Sequence, residues 1–210
     1  TVRQFGELSL NGYYTMDEQG VPAQNVVLVE SGVLKGFLTS RTPLESIKKS
    51  NGHGRSEGIR TPVARMGNLI VEGAKPVSQA RLKALLLEEV KRQGKPYGLV
   101  IRDITGGSTN TSSYGYQAFK GTPRMVYRVD AETGAETLVR GVEMVGTPLT
   151  AVSKIMATGD AVGVFNGYCG AESGYVPVST VAPPTLFREI ELQRSQRLKE
   201  KSPVLPPPWP

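Results

Sequence analysis

The segment NVVLVESGVLKGFL, residues 25–38, contains two apolar runs separated by Ser31 and Gly32. Runs rich in valine and leucine on either side of a glycine-containing pair are typical of two antiparallel strands joined by a tight turn. The segment therefore predicts a β-hairpin. It is the clearest local indication that strands dominate the fold.

A second hairpin is predicted downstream, where MVYRV at residues 125–129 and TLVR at 137–140 flank the turn-rich residues 130–135. The chain has 24 glycines and 15 prolines among 210 residues, which favours many turns and short strands over a helical bundle. The further strand candidates are residues 97–104, 160–166 and 186–192. Residues 50–64 and 105–117 are rich in small polar side chains, and we expect irregular loops there that could line a cleft.

Two helices interrupt the strands. The pattern over residues 78–93 has apolar side chains at helical spacing, with Ser78 as a cap and Gly94 as a terminator. A shorter helix is predicted over 148–158, with Pro148 in its first turn. The sequence thus predicts an α+β fold with mostly antiparallel, barrel- or sandwich-like sheets and about two helices. We expect one domain over 1–192, followed by a charged and then proline-rich tail over 193–210.

Composition excludes several classes of function. The net charge of +6 comes from dispersed basic residues rather than from runs, so nucleic-acid binding is not expected. No stretch approaches the roughly 18 apolar residues that a membrane-spanning helix needs, and no membrane association is expected. The single cysteine fits a reducing compartment, and we predict a cytoplasmic location.

That cysteine, Cys169, lies among small residues in the segment GYCGAESG, residues 167–174. Small neighbours let the backbone turn sharply and bring a thiol to the surface of a cleft, which suits a metal ligand or a nucleophile. A buried apolar role is the alternative, because free cysteine is among the most buried residue types. A dyad with His53, the one histidine, is possible. A complete zinc site needs three or four ligands, more than one thiol and one imidazole supply.

Six segments, taken in order, resemble the TldD/PmbA family, which comprises zinc metallopeptidases also described as modulators of DNA gyrase. They are YTMDEQGVPAQ (14–24), VLVESGVLKGFL (27–38), GHGR (52–55), ARMGN (64–68), GYCGAESGYVPV (167–178) and PTL (184–186). The resemblance covers roughly residues 10–190. It implies a strand-rich C-terminal domain of a two-domain peptidase.

In that family an upstream HExxxH helix supplies two histidine ligands and a glutamate base, and a late cysteine supplies the third ligand. Cys169 occupies the cysteine's position, so the resemblance implies that it is a zinc ligand and not a nucleophile. The residues implied to shape the cleft for a peptide substrate are Asn51, His53, Arg55, Arg65, Asn68 and Gly170. Family members work as dimers, which implies a homodimer or a heterodimer with another family member.

The sequence also departs from the family pattern. Ala171, Ser173 and Gly174 replace the usual lysine, glycine and glutamine after the cysteine, and Ala64 replaces a proline. HExxxH is absent from these 210 residues, and the sequence starts at Thr1 rather than Met. We therefore expect an N-terminal HExxxH-bearing domain outside this chain, removed or separate. The other explanation is a PmbA-like subunit that never bound metal.

Three functional hypotheses follow. The main one is the C-terminal half of a TldD-like zinc metallopeptidase that hydrolyses short or unfolded peptides and is inactive as this chain alone. The second is a non-catalytic partner or scaffold subunit that completes the cavity of an active chain. The third is a cysteine hydrolase that uses Cys169 and His53.

Overall fold

The computed structural model describes residues 4–42, 45–110 and 118–195. The chain divides into two compact units. Unit 1 comprises Thr1–Gln79 and Ala157–Thr185, and unit 2 comprises Ala80–Met156 and Leu186–Pro210.

The elements, in chain order, are β1 (Gln4–Phe5), β2 (Leu8–Ser9), β3 (Val29–Glu30), β4 (Val33–Leu34), β5 (Gly54–Arg55), β6 (Val63–Ala64), β7 (Asn68–Ile70), α1 (Gln79–Arg92), β8 (Tyr97–Thr109), β9 (Phe119–Asp130), β10 (Glu136–Val139), β11 (Val142–Gly146), α2 (Pro148–Ser153), β12 (Ile155–Thr158), β13 (Gly163–Ala171), β14 (Gly174–Ala182), β15 (Thr185–Phe187) and β16 (Glu191–Arg194). The predicted strand-rich α+β class with two helices is confirmed. Antiparallel pairs predominate, and no sheet within the described residues closes into a barrel.

The main sheet of unit 1 has the order β13-β14-β7. β13 and β14 form an antiparallel hairpin that is in register from Gly163↔Ala182 to Ala171↔Gly174. Gly174 has a φ of +89°, a backbone conformation that L side chains rarely adopt, and it closes the two-residue turn. β7 adds to β14 in parallel.

Residues just after β2 are joined to this sheet by polar contacts. The Ser179 hydroxyl accepts a hydrogen bond from the Gly12 amide at 3.1 Å and donates to Asn166 Oδ1 at 2.6 Å. A Cβ on Gly12 would lie 2.4 Å from the Asn68 side-chain oxygen. Glycine is therefore the residue that lets this segment approach the sheet closely.

The hairpin predicted over residues 25–38 forms, but it is much shorter than expected. β3 and β4 contain two residues each and are joined through Ser31 and Gly32, both at positive φ. Beyond β3, the amides of Lys35 and Gly36 both point to the Leu28 carbonyl, at 2.8 and 3.5 Å. Because two successive donors share one acceptor, the regular ladder ends there.

The sheet of unit 2 is built around the long strand β9. β9 pairs with β8 along one edge, and along the other with β10 and then β11, which also pairs with β16. The register from Glu136↔Val129 to Val139↔Val126 confirms the second predicted hairpin. β8 continues to Thr109, so residues 105–109 form a strand and not the predicted loop. Residues 111–117 lie outside the described residues.

Helix α1 confirms the helix predicted over 78–93. A Cβ on Gly98 of β8 would lie 2.7 Å from Val90 Cγ2 and 3.0 Å from Leu86 Cδ1, so glycine lets this helix lie close against the strand. Leu82 and Val90 are buried on the same helical face.

Helix α2 ends at Ser153, five residues before the predicted end at 158. Ile155–Thr158 instead forms β12, which pairs with β15. Apolar residues in a short run fit a helix stripe or a strand equally well, and here strand pairing decides. The strand predicted over 186–192 is divided into β15 and β16, and that over 160–166 begins at Gly163. In the part of the chain that the structure describes, neither helix has the length and apolarity to cross a lipid bilayer.

The carboxylate of Glu89 lies at the C-terminal end of α1 with little exposure to solvent. It accepts hydrogen bonds from Arg92 Nε at 2.7 Å and Nη2 at 2.5 Å, and from Gln93 Nε2 at 2.7 Å. These bonds, those from Arg92 above all, lower the pKa of Glu89 to about 2.

We predict that Glu89→Gln lowers the thermal unfolding midpoint at pH 7. A depressed carboxyl pKa contributes stability above its unfolded value of 4.5, and the contribution is lost as pH falls towards 2. The difference between the wild-type chain and Glu89→Gln should therefore be constant above about pH 5. Circular dichroism melts from pH 7 to pH 2 measure it. Glu88→Gln, an exposed neighbour on α1, is the control, and an offset that persists undiminished at pH 2 would contradict the prediction.

Candidate functional site

The interior of unit 1 is unusually polar. Beside apolar side chains such as Val176 and Val178, it buries His53, Arg55 and Arg65. Buried polar and charged groups cost free energy unless they are hydrogen-bonded or paired. The partners of these side chains therefore define the candidate site.

Asp17 organises the loop that begins this network. Its Oδ1 accepts hydrogen bonds from the amides of Gln19 at 3.0 Å and Val21 at 2.9 Å, and its Oδ2 accepts from the Gly54 amide at 2.8 Å. In the sequence, Asp17 stood out only as part of the family-like segment 14–24. An aspartate two to three residues before a glycine is a known turn signal, but its reach to Gly54 has no local signature.

Gly52 determines the path of the segment that follows. Its φ is +76°, and a Cβ there would lie 2.2 Å from the Pro22 carbonyl oxygen. The Tyr14 hydroxyl donates to the Gly52 carbonyl at 2.8 Å. Burial raises the pKa of Tyr14 to about 12, although the nearby Arg55 guanidinium acts in the opposite direction. The segment over 50–64 was predicted to be irregular, but it contains the paired strands β5 and β6.

His53 is buried, and its ring has a defined tautomer. Nδ1 lies 2.9 Å from the side-chain oxygen of Asn51 and 3.1 Å from its carbonyl oxygen. Because both partners are acceptors in this network, Nδ1 carries the proton and the neutral ring has its lone pair at Nε2. Burial lowers the pKa of His53, and the hydrogen bond to Asn51 partly offsets this.

Asn51 connects the loop to the end of the first hairpin. Its side-chain oxygen accepts from the Thr39 amide at 2.8 Å, and its Nδ2 donates to the Phe37 carbonyl at 2.9 Å. These bonds hold the loop in place. They also orient the His53 ring, whose Nδ1 contacts the Asn51 side-chain oxygen.

Arg55 is buried and hydrogen-bonded to the main sheet. Its Nη1 donates to the carbonyls of Met66 at 3.0 Å and Pro177 at 2.8 Å, and its guanidinium carbon lies 4.5 Å from the centroid of the Tyr14 ring. Burial lowers the pKa of Arg55, while the Glu18 carboxylate, 3.9 Å from Nε, raises it. The charge of a Cys169 thiolate is also among the groups that raise it, so Arg55 lies within electrostatic range of that sulfur.

Arg65 joins the end of β6 to the β13–β14 hairpin. Its Nη1 donates to Ser173 Oγ at 3.1 Å and to the Gly174 carbonyl at 2.6 Å, and its Nη2 donates to the Cys169 carbonyl. Ser173 is almost fully buried at the hairpin turn. A single guanidinium thus fixes both the turn and the residue that carries the thiol.

Cys169 lies within β13, opposite Val176 of β14, and it is half-buried. The sharp turn that its small neighbours predict begins three residues later, at residues 172–173. The neighbouring Gly170 makes room for an aromatic ring, because a Cβ there would lie 2.7 Å from Tyr175 Cε1. Asn68 lies in β7 opposite Ser179, on the far side of β14 from Cys169.

The structure therefore brings Arg55, Arg65 and Cys169 together at the hairpin. His53 is joined to this group through the backbone, since the Arg65 amide donates to its carbonyl at 2.8 Å. Within the described residues no hydrogen bond joins the His53 ring to the Cys169 thiol. The dyad that a cysteine hydrolase needs is not formed.

The number of side chains that could act as metal ligands decides whether this part of the chain can bind a metal by itself. A thiolate is a suitable zinc ligand, but structural and catalytic zinc sites have at least three protein ligands. Residues 4–42, 45–110 and 118–195 contain no group of three or more His, Cys, Asp or Glu side chains that could hold a metal ion. Cys169 is thus at most one ligand of a site that this part of the chain does not complete.

Comparisons with known proteins identify the family of the chain. A metalloprotease from Archaeoglobus fulgidus is 32% identical over 177 residues, which are 84% of this chain and 38% of that protein. A metalloprotease TldD homolog from Buchnera aphidicola is 24% identical over 86% of this chain and 35% of its own length. The chain thus spans little more than a third of each of these relatives.

The crystal structure of TldE from Thermococcus kodakarensis has a similar fold, with a TM-score of 0.57 at 16% identity over 85% of this chain and 36% of that one. The sequence model of a protein family, the PmbA/TldA metallopeptidase C-terminal domain, matches residues 2–194, nearly the whole chain. The chain therefore belongs to the TldD/PmbA metallopeptidase family, and it corresponds to that family's C-terminal domain.

Proposed function

We propose that this chain is the metal-binding C-terminal half of a TldD-like peptidase, in which Cys169 is one ligand of zinc. The other ligands and the general base would come from an N-terminal HExxxH-bearing domain outside this chain. The observation that carries the proposal is a half-buried thiol on a strand that Arg65 holds in place. The chemistry that zinc supplies when bound is Lewis-acid activation of water for attack on a peptide carbonyl.

The electrostatic surroundings support a ligand role. A thiol binds metal as the thiolate, which a nearby positive charge favours. Burial is the main influence on the pKa of Arg55 and lowers it, and Cys169 is the weakest of the charges that act on it. This chain would thus contribute a thiol donor within electrostatic range of a buried guanidinium.

Sheet topology supports an extended peptide as substrate. In the described residues β13 is an edge strand, because its one partner in the sheet is β14. Edge strands present unpaired amide and carbonyl groups to which an extended peptide can add as a further strand. A peptide that added along β13 would pair with its remaining backbone groups, since the Cys169 carbonyl already accepts a hydrogen bond from Arg65. The proposed substrates are short or unfolded peptides.

The same proposal includes the assembly. The described residues hold one thiol and no group of three ligands, so on this proposal another polypeptide region would complete the site. We propose that this happens within a homodimer or a heterodimer with a second family member in the cytoplasm.

We predict that Cys169→Ala in the protein carrying both this chain and its upstream region removes bound zinc and lowers peptide hydrolysis more than about 100-fold. Even residues that merely support metal ligands cost 10- to 100-fold when changed, so loss of a ligand costs more. Zinc is measured by mass spectrometry and hydrolysis with a fluorogenic peptide. Ser153→Ala, a similar truncation at an exposed site in unit 2, is the control. Unchanged zinc together with unchanged hydrolysis would refute the assignment.

The alternative is a non-catalytic subunit that completes the cavity of an active relative. It is favoured by the same incomplete donor set. Hydrolysis measured for the protein alone and mixed with a second family member separates the two. Activity that appears in the mixture alone and survives Cys169→Ala would establish the scaffold role.

We further predict that Arg65→Lys destabilises unit 1 by about 2–4 kcal/mol, because lysine cannot reproduce the forked hydrogen bonds to Ser173, Gly174 and Cys169. Zinc affinity should fall about 10- to 100-fold at temperatures where the variant remains folded. Urea unfolding and zinc titration measure the two effects. The exposed Arg60→Lys in the same unit should change neither. A variant with normal stability but weakened zinc binding would contradict the structural part of the prediction.

A further inference from the structure

An open pocket of about 410 Å³ lies in unit 1 beside the loop that carries Asn51 and His53. Its lining includes Gln19, Ser40, Arg41, Lys48 and Lys49. Arg41, Lys48 and Lys49 contribute three positive charges. No acidic side chain lines the pocket among the residues that the structure describes.

Neutral donors accompany these charges. The Gln19 side-chain oxygen accepts from the Arg41 amide at 2.7 Å, which leaves the Gln19 amide NH₂ as a donor. The Ser40 hydroxyl oxygen accepts from the Thr42 amide at 3.3 Å, so its proton is free to be donated. The pocket therefore offers an excess of hydrogen-bond donors together with positive charge.

The cations of the pocket have no ion-pair partner in the described part of the chain. Elsewhere, surface lysines and arginines are commonly paired with carboxylates, as in Lys83–Glu136 and Lys120–Glu143. An arginine and two lysines that line one pocket without an acid favour an oxyanion, because a guanidinium can bind it through two parallel hydrogen bonds and the ammonium groups add positive charge.

We propose that this pocket binds the carboxylate of a peptide, either the C-terminal carboxylate or that of an acidic side chain. The identity of the ligand rests on the proposed peptidase function, whereas the anion chemistry rests on the lining. The pocket would select peptides that present a carboxylate, and it would anchor one end of the substrate within the domain that carries Cys169.

The test is isothermal titration calorimetry with the full protein in EDTA, so that binding is measured without hydrolysis. Three probes are compared: pentaalanine with a free C-terminal carboxylate, pentaalanine amide, and an amidated peptide that ends in glutamate. The variant is Lys48→Gln/Lys49→Gln. The matched control is Lys75→Gln/Lys95→Gln, which removes the same charge from exposed lysines outside the pocket.

We expect the free-carboxylate peptide to bind more tightly than the amide, and Lys48→Gln/Lys49→Gln to weaken it about tenfold. The control should bind as the wild type does, and added salt should weaken binding. Tight binding of the amidated glutamate peptide, lost in the same variant, identifies a side-chain carboxylate as the ligand. Equal affinity for carboxylate and amide peptides, or equal losses in the two double variants, would overturn the proposal. Because the titration needs no metal, its outcome is independent of the Cys169→Ala experiment.

Discussion

Arg65 hydrogen-bonds to three groups that lie 104 to 109 residues later in the chain, all on the β13–β14 hairpin. Its guanidinium is buried, and without those acceptors it would be an uncompensated charge in the interior. The early loops of unit 1 and the late hairpin are therefore coupled, because Arg65 in the loops donates these hydrogen bonds and the hairpin accepts them. The position of the Cys169 backbone follows from this one side chain.

The rest of unit 1 follows the same principle. Asp17 and Asn51 satisfy the amides of segments distant in sequence, and Arg55 satisfies one carbonyl between β6 and β7 and another in β14. Such a network contributes less net stability than an apolar core of equal volume, because each polar group must first lose its water. It does hold loops in one arrangement, since any displacement leaves a buried donor or acceptor unpaired. A domain whose sheets are mostly short thereby keeps well-defined loops.

Sequence patterns predicted the elements whose causes are local. The helix over 78–93 and the hairpin around residues 130–135 depend on periodicity and turn residues, and both formed close to their expected bounds. Residues 25–38 carry equally strong strand patterns, yet the ladder ends after two residues because Lys35 and Gly36 share one acceptor. At the candidate site, the resemblance singled out Arg65 and Cys169, but their contact is a long-range one that no local pattern encodes. Asp17 was missed for the same reason.

When the ligands of one site come from two separate regions, each region must hold its own ligand in position before the two regions meet. Every side chain that must be ordered at the moment of assembly costs free energy, so a half-site binds best when its donor is already in position. On the proposed function, Arg65 meets this demand by holding Cys169 before any other ligand arrives. The basic pocket around Arg41 and Lys49 would do the same for the substrate, because the backbone amides of Arg41 and Thr42 hold the Gln19 and Ser40 side chains in place in the absence of peptide. The polar interior of unit 1 would then be the structural requirement for a domain that supplies part of a catalytic site.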